Sequence, residues 1–119
     1  MWGMAAQLSD STIDGLADFY SAQKPGPGSS QNAVDVAAGS KIFTDGIPDK
    51  NVPACMPCHD DKAQGNGPIP RLAGLHREYL EEQLTAFSSN RRANEIMHET
   101  SQHLNADQID AIASYLAAQ

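Results

Sequence analysis

Apolar residues recur at the spacing of a helix in four stretches of the chain, and no stretch alternates between apolar and polar residues as a half-buried strand would. The four predicted helices have the sequences LSDSTIDGLADFYSAQ, AVDVAAGSKIF, REYLEEQLTAF and NADQIDAIASYLAAQ, at residues 8–23, 33–43, 77–87 and 105–119. A domain built from helices alone belongs to the all-α class, and this is the fold class that the pattern predicts.

Local signals mark where two of these helices begin and where the first one stops. Ser9 or Asp10 is a suitable N-cap for the first helix, and Asn105 with Gln108 predicts a capping box on the last one. The segment KPGPGSSQ, residues 24–31, contains two prolines and two glycines, which cannot continue a helix. We therefore predict a linker at residues 24–31.

Gly39 lies in the second predicted helix, on the same face as Phe43. Because glycine inside a helix costs about 1 kcal/mol relative to alanine, its presence indicates that another element approaches closely at that point. About 30 residues rich in glycine and proline, including GNGPIP, separate the second helix from the third. An irregular stretch of this length in a compact domain indicates that it wraps around something.

The first and last predicted helices resemble each other. Without gaps, residues 1–23 match residues 97–119 at seven of 23 positions. The identities pair Met1 with Met97, Leu8 with Leu104, Ile13 with Ile109, Asp14 with Asp110, Ala17 with Ala113, and Ala22-Gln23 with Ala118-Gln119. We interpret this match as an internal repeat, although two short alanine-rich helices can also match through composition alone.

Composition limits the classes of function. The chain has 119 residues, 40% of them hydrophobic, which is enough for one domain with a modest core. Its net charge of -7 argues against nucleic acid as a partner and favours protein partners that carry a basic patch. No apolar run reaches the roughly 20 residues of a membrane span, and the N-terminal sequence lacks the regions of a signal peptide. We expect a mature chain, a cytosolic protein or a fragment.

The chemistry of the chain is concentrated in PACMPCHDDK, residues 53–62, which contains both cysteines. Cys55, Cys58 and His59 form a C-x-x-C-H motif. A disulfide, a thiol redox pair and a structural zinc site are all open, although the redox pair normally follows a strand and zinc normally has four ligands. The spacing favours attachment of a c-type haem, in which two thiols add to the two vinyl groups and the adjacent imidazole reaches the iron.

The order of motifs in residues 32–119 resembles a class I c-type cytochrome domain. The motifs are AAGSKIF, CMPCH, PRLAG, YLEEQL, EIMHE and IASYL, in that order. The resemblance implies the class I cytochrome c fold, with helices wrapped around one covalent haem c per chain. It also implies that Gly39 and Phe43 meet Tyr115 and Leu116, where the first and last helices of the domain cross.

The same resemblance assigns ligands to the haem iron. His59 is the proximal ligand and Met97 the distal one, so both axial positions are filled. The thioether of methionine is a soft, neutral ligand that favours Fe(II) and therefore raises the potential. His76, His98 and His103 are the alternatives to Met97, and bis-histidine ligation would lower the potential.

The resemblance also implies partners for the proximal imidazole and for the haem propionates. In the family a proline carbonyl accepts the other N–H of the imidazole, and here this is Pro70 in the turn Pro70-Arg71-Leu72, with Pro68 as the alternative. The candidate donors to the propionates are Arg71, Tyr79, Arg91 and Arg92. Some members of the family use a tryptophan for this contact, but the only tryptophan here, Trp2, lies outside the domain.

These assignments imply one-electron transfer by a domain of a larger multi-haem cytochrome, which is a carrier and not an enzyme. The alternative is a haem enzyme, or a gas- or peroxide-binding domain, in which Met97 does not bind and the sixth position is open. A thiol or zinc module without haem is a third interpretation. Haem attachment of this type places the protein in the periplasm, with other redox proteins as its partners.

If the repeat is real, residues 1–23 are the terminal helix left from a preceding cytochrome c domain. Met1 is then the counterpart of Met97, as the distal ligand of the preceding haem. If the repeat is not real, Met1 is only the initiator methionine. The apolar stripe of this helix consists of Ile13, Leu16, Ala17 and Tyr20. Because an exposed apolar stripe favours burial, we expect it to pack on the haem domain of the same chain or on a second copy of the chain.

Overall fold

A computed structural model describes residues 1–24 and 33–119, so the predicted linker, residues 24–31, lies outside the described residues from residue 25 onwards. The elements are α1 (Trp2–Ala5), α2 (Asp10–Ser21), α3 (Ala33–Asp45), a 3₁₀ turn (Pro48–Lys50), α4 (Met56–His59), α5 (Arg77–Ser88), α6 (Glu95–Ser101) and α7 (Ala106–Ala117). In the described residues, β-pairing is limited to two isolated bridges, Ile47–Val52 and Asn66–Ile69. The predicted all-α class is confirmed. No helix within the described ranges combines the length and the apolar content that a bilayer crossing requires.

All four helices predicted from the apolar spacing are present, as α2, α3, α5 and α7. Ser9 is the N-cap of α2, since its side chain accepts a hydrogen bond from the N–H of Thr12. The capping box predicted for α7 is also present. The N–H of Gln108 donates to the Asn105 side chain at 2.9 Å, and the N–H of Asn105 donates to the Gln108 side chain at 3.0 Å. These side chains satisfy N–H groups that the first turn leaves without partners, and so define where the helices begin.

The apolar spacing does not predict α1, α4, α6 or the 3₁₀ turn, and the expectation of an irregular stretch between the second and third helices is wrong at α4 and at the 3₁₀ turn. Each of these elements is short, and the longest of them, α6, has seven residues. A helix of less than two turns presents no repeating stripe, so periodicity cannot reveal it. One consequence concerns the site, because Met97 lies within α6 and not in a loop.

The crossing of α3 and α7 closes the domain. A Cβ atom at Gly39 would lie 1.9 Å from the carbonyl oxygen of Ala111 and 2.8 Å from the Cβ of Tyr115, so only glycine fits. One turn later, the Phe43 ring packs against the Tyr115 ring with the centroids 5.4 Å apart. Leu116 belongs to the same buried cluster as Phe43. The close approach predicted at Gly39 is confirmed, and its nearest partner is the backbone of Ala111.

Helix α5 packs against both α6 and α7 and completes the core. The buried cluster consists of Phe43, Ala63, Ala73, Leu80, Ile112, Ala113 and Leu116. At the edge of this cluster, the Nε of Arg77 donates to the Asp110 carboxylate at 2.8 Å and links the start of α5 to α7. Cys55, Met56 and Leu72 are partly buried against the same cluster, so the C-x-x-C-H turn is built directly onto the core.

Helix α2 differs from the other long helices because none of its residues is buried. The stripe residues Ile13, Leu16 and Tyr20 are 47%, 41% and 68% exposed. The expectation that this stripe packs on the haem domain of the same chain is therefore wrong. Tyr20 and Gln23, at the C-terminal end of α2, border an open groove beside Gly74, so the helix meets the domain there without burying its stripe. Packing of the stripe on a second copy stays a prediction.

Candidate functional site

The C-x-x-C-H motif occupies a single helical turn, α4, whose start is fixed to the end of α3. The N–H of Cys55 donates to the carbonyl oxygen of Phe43 at 2.9 Å. The N–H groups of Cys58 and His59 then donate to the carbonyl of Cys55 at 3.3 and 3.0 Å. Pro57 suits this position because the first N–H groups of a helix have no partner within it. Both thiols and the imidazole are therefore held on one turn beside the core.

The two cysteines are free thiols in different surroundings. Cys55 is half-buried, and this burial, together with the charge of neighbouring Cys58, raises the pKa of its thiol to about 11. The Cys55 side chain is therefore a neutral thiol at neutral pH. Cys58 is exposed. The structure has no disulfide between Cys55 and Cys58, so both sulfur atoms are left for other bonds.

His59 is 6% exposed, and its imidazole has a fixed orientation. Its Nδ1 lies 2.9 Å from the carbonyl oxygen of Pro70. Because a carbonyl oxygen can only accept, Nδ1 carries the proton, and in the neutral imidazole Nε2 then has a free electron pair. This is the contact that the resemblance implies, with Pro70 and not Pro68 as the partner. An imidazole held in this way is oriented as metal-binding histidines are.

The loop that presents Pro70 depends on two residues with positive φ. Gly65 has a φ of +80°, and a Cβ there would lie 2.4 Å from the carbonyl oxygen of Ile69. Its N–H donates to the carbonyl of His59 at 3.0 Å. Ala63, with a φ of 54°, accepts two N–H groups from the chain that follows Pro70, at 2.8 and 3.0 Å. Sequence reasoning misses Ala63, because an alanine carries no signal of this conformation.

The side chains of Arg71 and Tyr79, considered as donors to the propionates, have other surroundings here. The Nε of Arg71 donates to the carbonyl oxygen of Ala73 at 3.0 Å, and its guanidinium also contacts the Gln64 side chain. Arg71 therefore closes the loop that carries Pro70. Tyr79 lies on α5 and is 50% exposed.

Arg91 and Arg92, the other two candidate donors, are engaged with α5. Arg91 forms an exposed ion pair with Glu82 at 3.0 Å. The guanidinium of Arg92 lies over the Phe87 ring, 4.6 Å from its centroid. Both contacts connect the segment between α5 and α6 back to α5, which explains these arginines without reference to a bound group.

Met97 is half-buried on α6, and the structure separates it from two of its three alternatives. His76 and His103 are exposed. His98 is half-buried, and its Nδ1 lies 2.9 Å from the carbonyl oxygen of Phe87. The two protected groups, Met97 and His98, are thus neighbours on one short helix, and only His98 is already bonded to another element.

The residues present fit a covalent haem and do not fit zinc. Within residues 1–24 and 33–119, no three His, Cys, Asp or Glu side chains are arranged to hold a metal ion. The C-x-x-C-H turn instead offers two free thiols and one imidazole with a free Nε2, beside apolar side chains such as Met56 and Leu72. This set suits an iron whose equatorial ligands come from a porphyrin, because the protein then supplies only axial ligands.

Comparison with known proteins also supports a haem-binding domain. The family model described as cytochrome c matches residues 36–119. Cytochrome c-552 of Acidithiobacillus ferridurans is 38% identical over an alignment of 120 positions, which covers 99% of this chain and 52% of that relative. The thiosulfate dehydrogenase electron acceptor of Thiomonas intermedia is 34% identical over an alignment of 125 positions, which covers 100% of this chain and 58% of that relative. The chain spans about half the length of these relatives.

A solved structure extends the similarity to three dimensions. The cytochrome c4 structure from Acidithiobacillus ferrooxidans matches with a TM-score of 0.89 and 36% identity, over 100% of this chain and 71% of that chain. The similarity therefore includes α1 and α2 as well as the helices that surround the C-x-x-C-H turn.

Proposed function

Because the chain belongs to the cytochrome c family, with the class I fold and a covalently bound haem c, we propose that residues 32–119 carry single electrons through a haem ligated by His59 and Met97. When bound, the haem supplies an iron that gains and loses one electron. The chain is an electron carrier and not an enzyme, in agreement with its relatives. The observation that carries the proposed ligation is the 2.9 Å hydrogen bond between His59 and Pro70, on the same turn as two free thiols.

Cys55 and Cys58 attach one haem to each chain through two thioether bonds. Neither acid-acetone nor denaturant should then extract the haem, because covalent bonds survive the loss of the fold. A Cys55→Ser or Cys58→Ser variant should keep one bond, and the double variant should release all colour on extraction. Colour released from the unchanged protein would contradict covalent attachment.

Met97 would hold the iron through its thioether, as the second protein ligand beside His59. The Met97→Ala variant should lose the sulfur-to-iron charge-transfer band, become high-spin in the ferric form and show a lower potential, because a soft neutral ligand is removed. Met56→Leu is the matched control, since Met56 lies inside the attachment turn and should leave the band unchanged. An unchanged spectrum in Met97→Ala would assign the position to a histidine. A high-spin ferric spectrum in the unchanged protein would favour the gas- or peroxide-binding alternative.

Residues 1–23 are the terminal helix of a preceding cytochrome c domain, joined through the linker at residues 24–31. Support comes from the equivalence of α2 and α7, because each has 12 residues and both bounds differ by 96 positions, from 10 to 106 and from 21 to 117. Their N-caps, Ser9 and Asn105, are also 96 positions apart, and each side chain accepts a hydrogen bond from the N–H three residues further on. Relatives about twice as long as this chain agree with a second domain.

The gene sequence upstream of residue 1 tests this organisation. It should encode a second C-x-x-C-H motif, and the complete protein should contain two haems by mass spectrometry. Met1 would then be the axial methionine of the first haem, and Met1→Ala in the complete protein should make half of the ferric haem high-spin. An upstream coding sequence without the motif would contradict the tandem arrangement, and a gene that begins at Met1 would leave Met1 as an initiator.

The partners are redox proteins with a basic docking patch, and the compartment is the periplasm. The net charge of -7 supports a basic partner, and one relative is named as an electron acceptor of thiosulfate dehydrogenase. Electron transfer from a basic donor should slow as ionic strength rises, whereas transfer from an acidic donor should accelerate. A rate from the basic donor that does not depend on salt would contradict the docking proposal. Fractionation of the natural source would test the compartment.

The exposed stripe of α2 gives this chain a surface for self-association. Deleting residues 1–31 should remove any dimer seen by sedimentation while the haem spectrum and the Met97 band remain, because α3 to α7 form the core without α2. If the deletion prevents folding of the haem domain, the helix belongs to the core and the repeat interpretation is wrong.

A further inference from the structure

The backbone of Met97 is held on both sides by side chains of its own helix. Its N–H donates to the Asn94 side chain at 2.9 Å, and its carbonyl oxygen accepts from the hydroxyl of Ser101 at 2.7 Å. Ser101 is completely buried. Both polar groups of the residue proposed as the ligand are therefore fixed by local hydrogen bonds.

The next residue, His98, connects α6 to α5. Its Nδ1 lies 2.9 Å from the carbonyl oxygen of Phe87, in the last turn of α5. Because that carbonyl can only accept, Nδ1 is the donor. Phe87 is itself 9% exposed, so the acceptor belongs to a well-packed part of α5. This hydrogen bond limits how far α6 can move or rotate relative to α5.

Helix α6 buries few apolar side chains. The helix has seven residues, and Ser101 is its one buried member. Ile96, beside Met97, is 71% exposed. An isolated helix of this length is not stable in water, so α6 depends on its contacts with α5, and the His98 hydrogen bond to Phe87 is one of these contacts.

We propose that His98 is a positioning residue that, together with Asn94 and Ser101, holds the Met97 thioether at the iron. This inference rests on the proposed ligation by Met97. A thioether is a weak ligand, so its occupancy of the axial position depends on how rarely α6 moves away. Holding α6 against α5 before the bond forms lowers the ordering cost of ligation, which is the general effect of preorganisation.

Titration of the ferric protein with imidazole measures this effect directly, because imidazole must displace Met97. The His98→Phe variant should bind imidazole about tenfold more tightly than the unchanged protein, which corresponds to the loss of one hydrogen bond. The His98→Asn variant should stay within about threefold of the unchanged protein, because the Asn side-chain nitrogen can occupy the position of Nδ1. His103→Phe, at an exposed histidine two residues beyond α6, is the matched control and should have no effect.

A double-mutant cycle separates positioning from access to the iron. In the Met97→Ala background there is no thioether to displace, so His98→Phe should leave imidazole affinity unchanged. The same tenfold increase in both backgrounds would overturn the inference, because His98 would then only restrict entry of imidazole. Equal affinities of His98→Phe and the unchanged protein would also overturn it, while the charge-transfer band would still support Met97 as the ligand.

Failure of the proposed ligation gives a different result. If Met97→Ala keeps the spectrum and imidazole affinity of the unchanged protein, Met97 is not the ligand and both proposals fail. If His98→Phe and His98→Asn both become high-spin while Met97→Ala does not, His98 is itself the ligand.

Discussion

Helices α2 and α7 have the same length and the same kind of N-cap, yet one is exposed along its whole length and the other forms the centre of the core. Ile112 of α7 is 2% exposed, whereas Leu16, at the equivalent position of α2, is 41% exposed. Both helices have an apolar stripe, and they differ in whether another helix packs against it. Helix α7 has α3 against it, and the described structure has no corresponding helix against α2.

The comparison shows what an amphipathic sequence does and does not determine. It determines that a helix forms and which face is apolar, because periodicity and the cap are local properties. It does not determine burial, because a helix of 12 residues depends on tertiary packing for most of its stability. The following variants test whether α2 is an α7 without its partner.

The largest difference is expected between Gly39 of α3 and Gly15 of α2, which both lie inside long helices. Gly39→Ala should lower the free energy of unfolding by at least about 3 kcal/mol, because its Cβ would lie 1.9 Å from the carbonyl oxygen of Ala111. Gly15→Ala should leave unfolding of the haem domain unchanged and increase helicity, since nothing lies within 4 Å of the added Cβ. Denaturant unfolding followed by haem absorbance and by far-ultraviolet circular dichroism measures both. Equal losses from the two variants would show that α2 is packed.

A smaller effect is expected from truncating the stripes. Ile112→Val should cost about 1 kcal/mol, because a fully buried methyl-sized group is lost. Leu16→Ala removes more atoms but should cost less than about 0.5 kcal/mol, since Leu16 is largely exposed in this chain. In a protein that carries the proposed preceding domain against α2, Leu16→Ala should cost about 2 to 5 kcal/mol. A small cost there as well would contradict the tandem arrangement.

The matched aspartates, Asp110 and Asp14, should differ by less. Asp110→Asn weakens the contact with Arg77, which is 2.8 Å from the carboxylate, and should cost up to about 1 kcal/mol because the pair is partly exposed. Asp14→Asn, on the exposed helix, should cost nothing measurable. The difference should shrink as salt is added, since screening weakens exposed ion pairs. A difference that persists at high salt would mean that Asp110 acts through its hydrogen bond and not through its charge.

The smallest effect concerns Glu81, which shares Arg77 with Asp110. The Arg77 Nε lies 2.8 Å from the Glu81 carboxylate, but its N–H is directed to Asp110, so Glu81 has the charge attraction without the hydrogen bond. Burial raises the pKa of Glu81 above its ordinary 4.5, and Arg77 opposes this. A raised pKa in the folded state stabilises the protein below pH 4.5, and this stability is lost as the pH rises through the higher value.

Glu81→Gln should therefore reduce the loss of stability between about pH 4.5 and neutral pH by a few tenths of a kcal/mol, because the group is partly exposed. Denaturant midpoints measured across this range test the sign. A steeper loss of stability in the variant would mean that Arg77 outweighs the cost of burial.

The long helices and the haem-attachment turn could be predicted from the sequence, because they depend on local signals. Periodicity reveals α7, and Gly39 reveals that another helix is close. The positions of Met97 and Pro70 came only from the resemblance to a family. The hydrogen bonds around Met97 could not be predicted, because Ser101 gives no signal of burial and α6 is too short to show a stripe. Asn94 did carry a signal, as an N-cap residue before α6.

The crossing of Gly39 with Ala111 also governs the order of events during biogenesis. It joins the first and last helices of the domain, at positions 39 and 111. Helix α3 therefore cannot pack against α7 until the end of the chain has left the ribosome. Closing a loop of this length also carries an entropic cost that slows the step. Cys55, Cys58 and His59 lie well before α7 in the chain and emerge while the fold is still open. In the folded domain the Cys55 thiol is half-buried and the Cys58 thiol is exposed. Before α3 and α7 pack together, both thiols are accessible to haem.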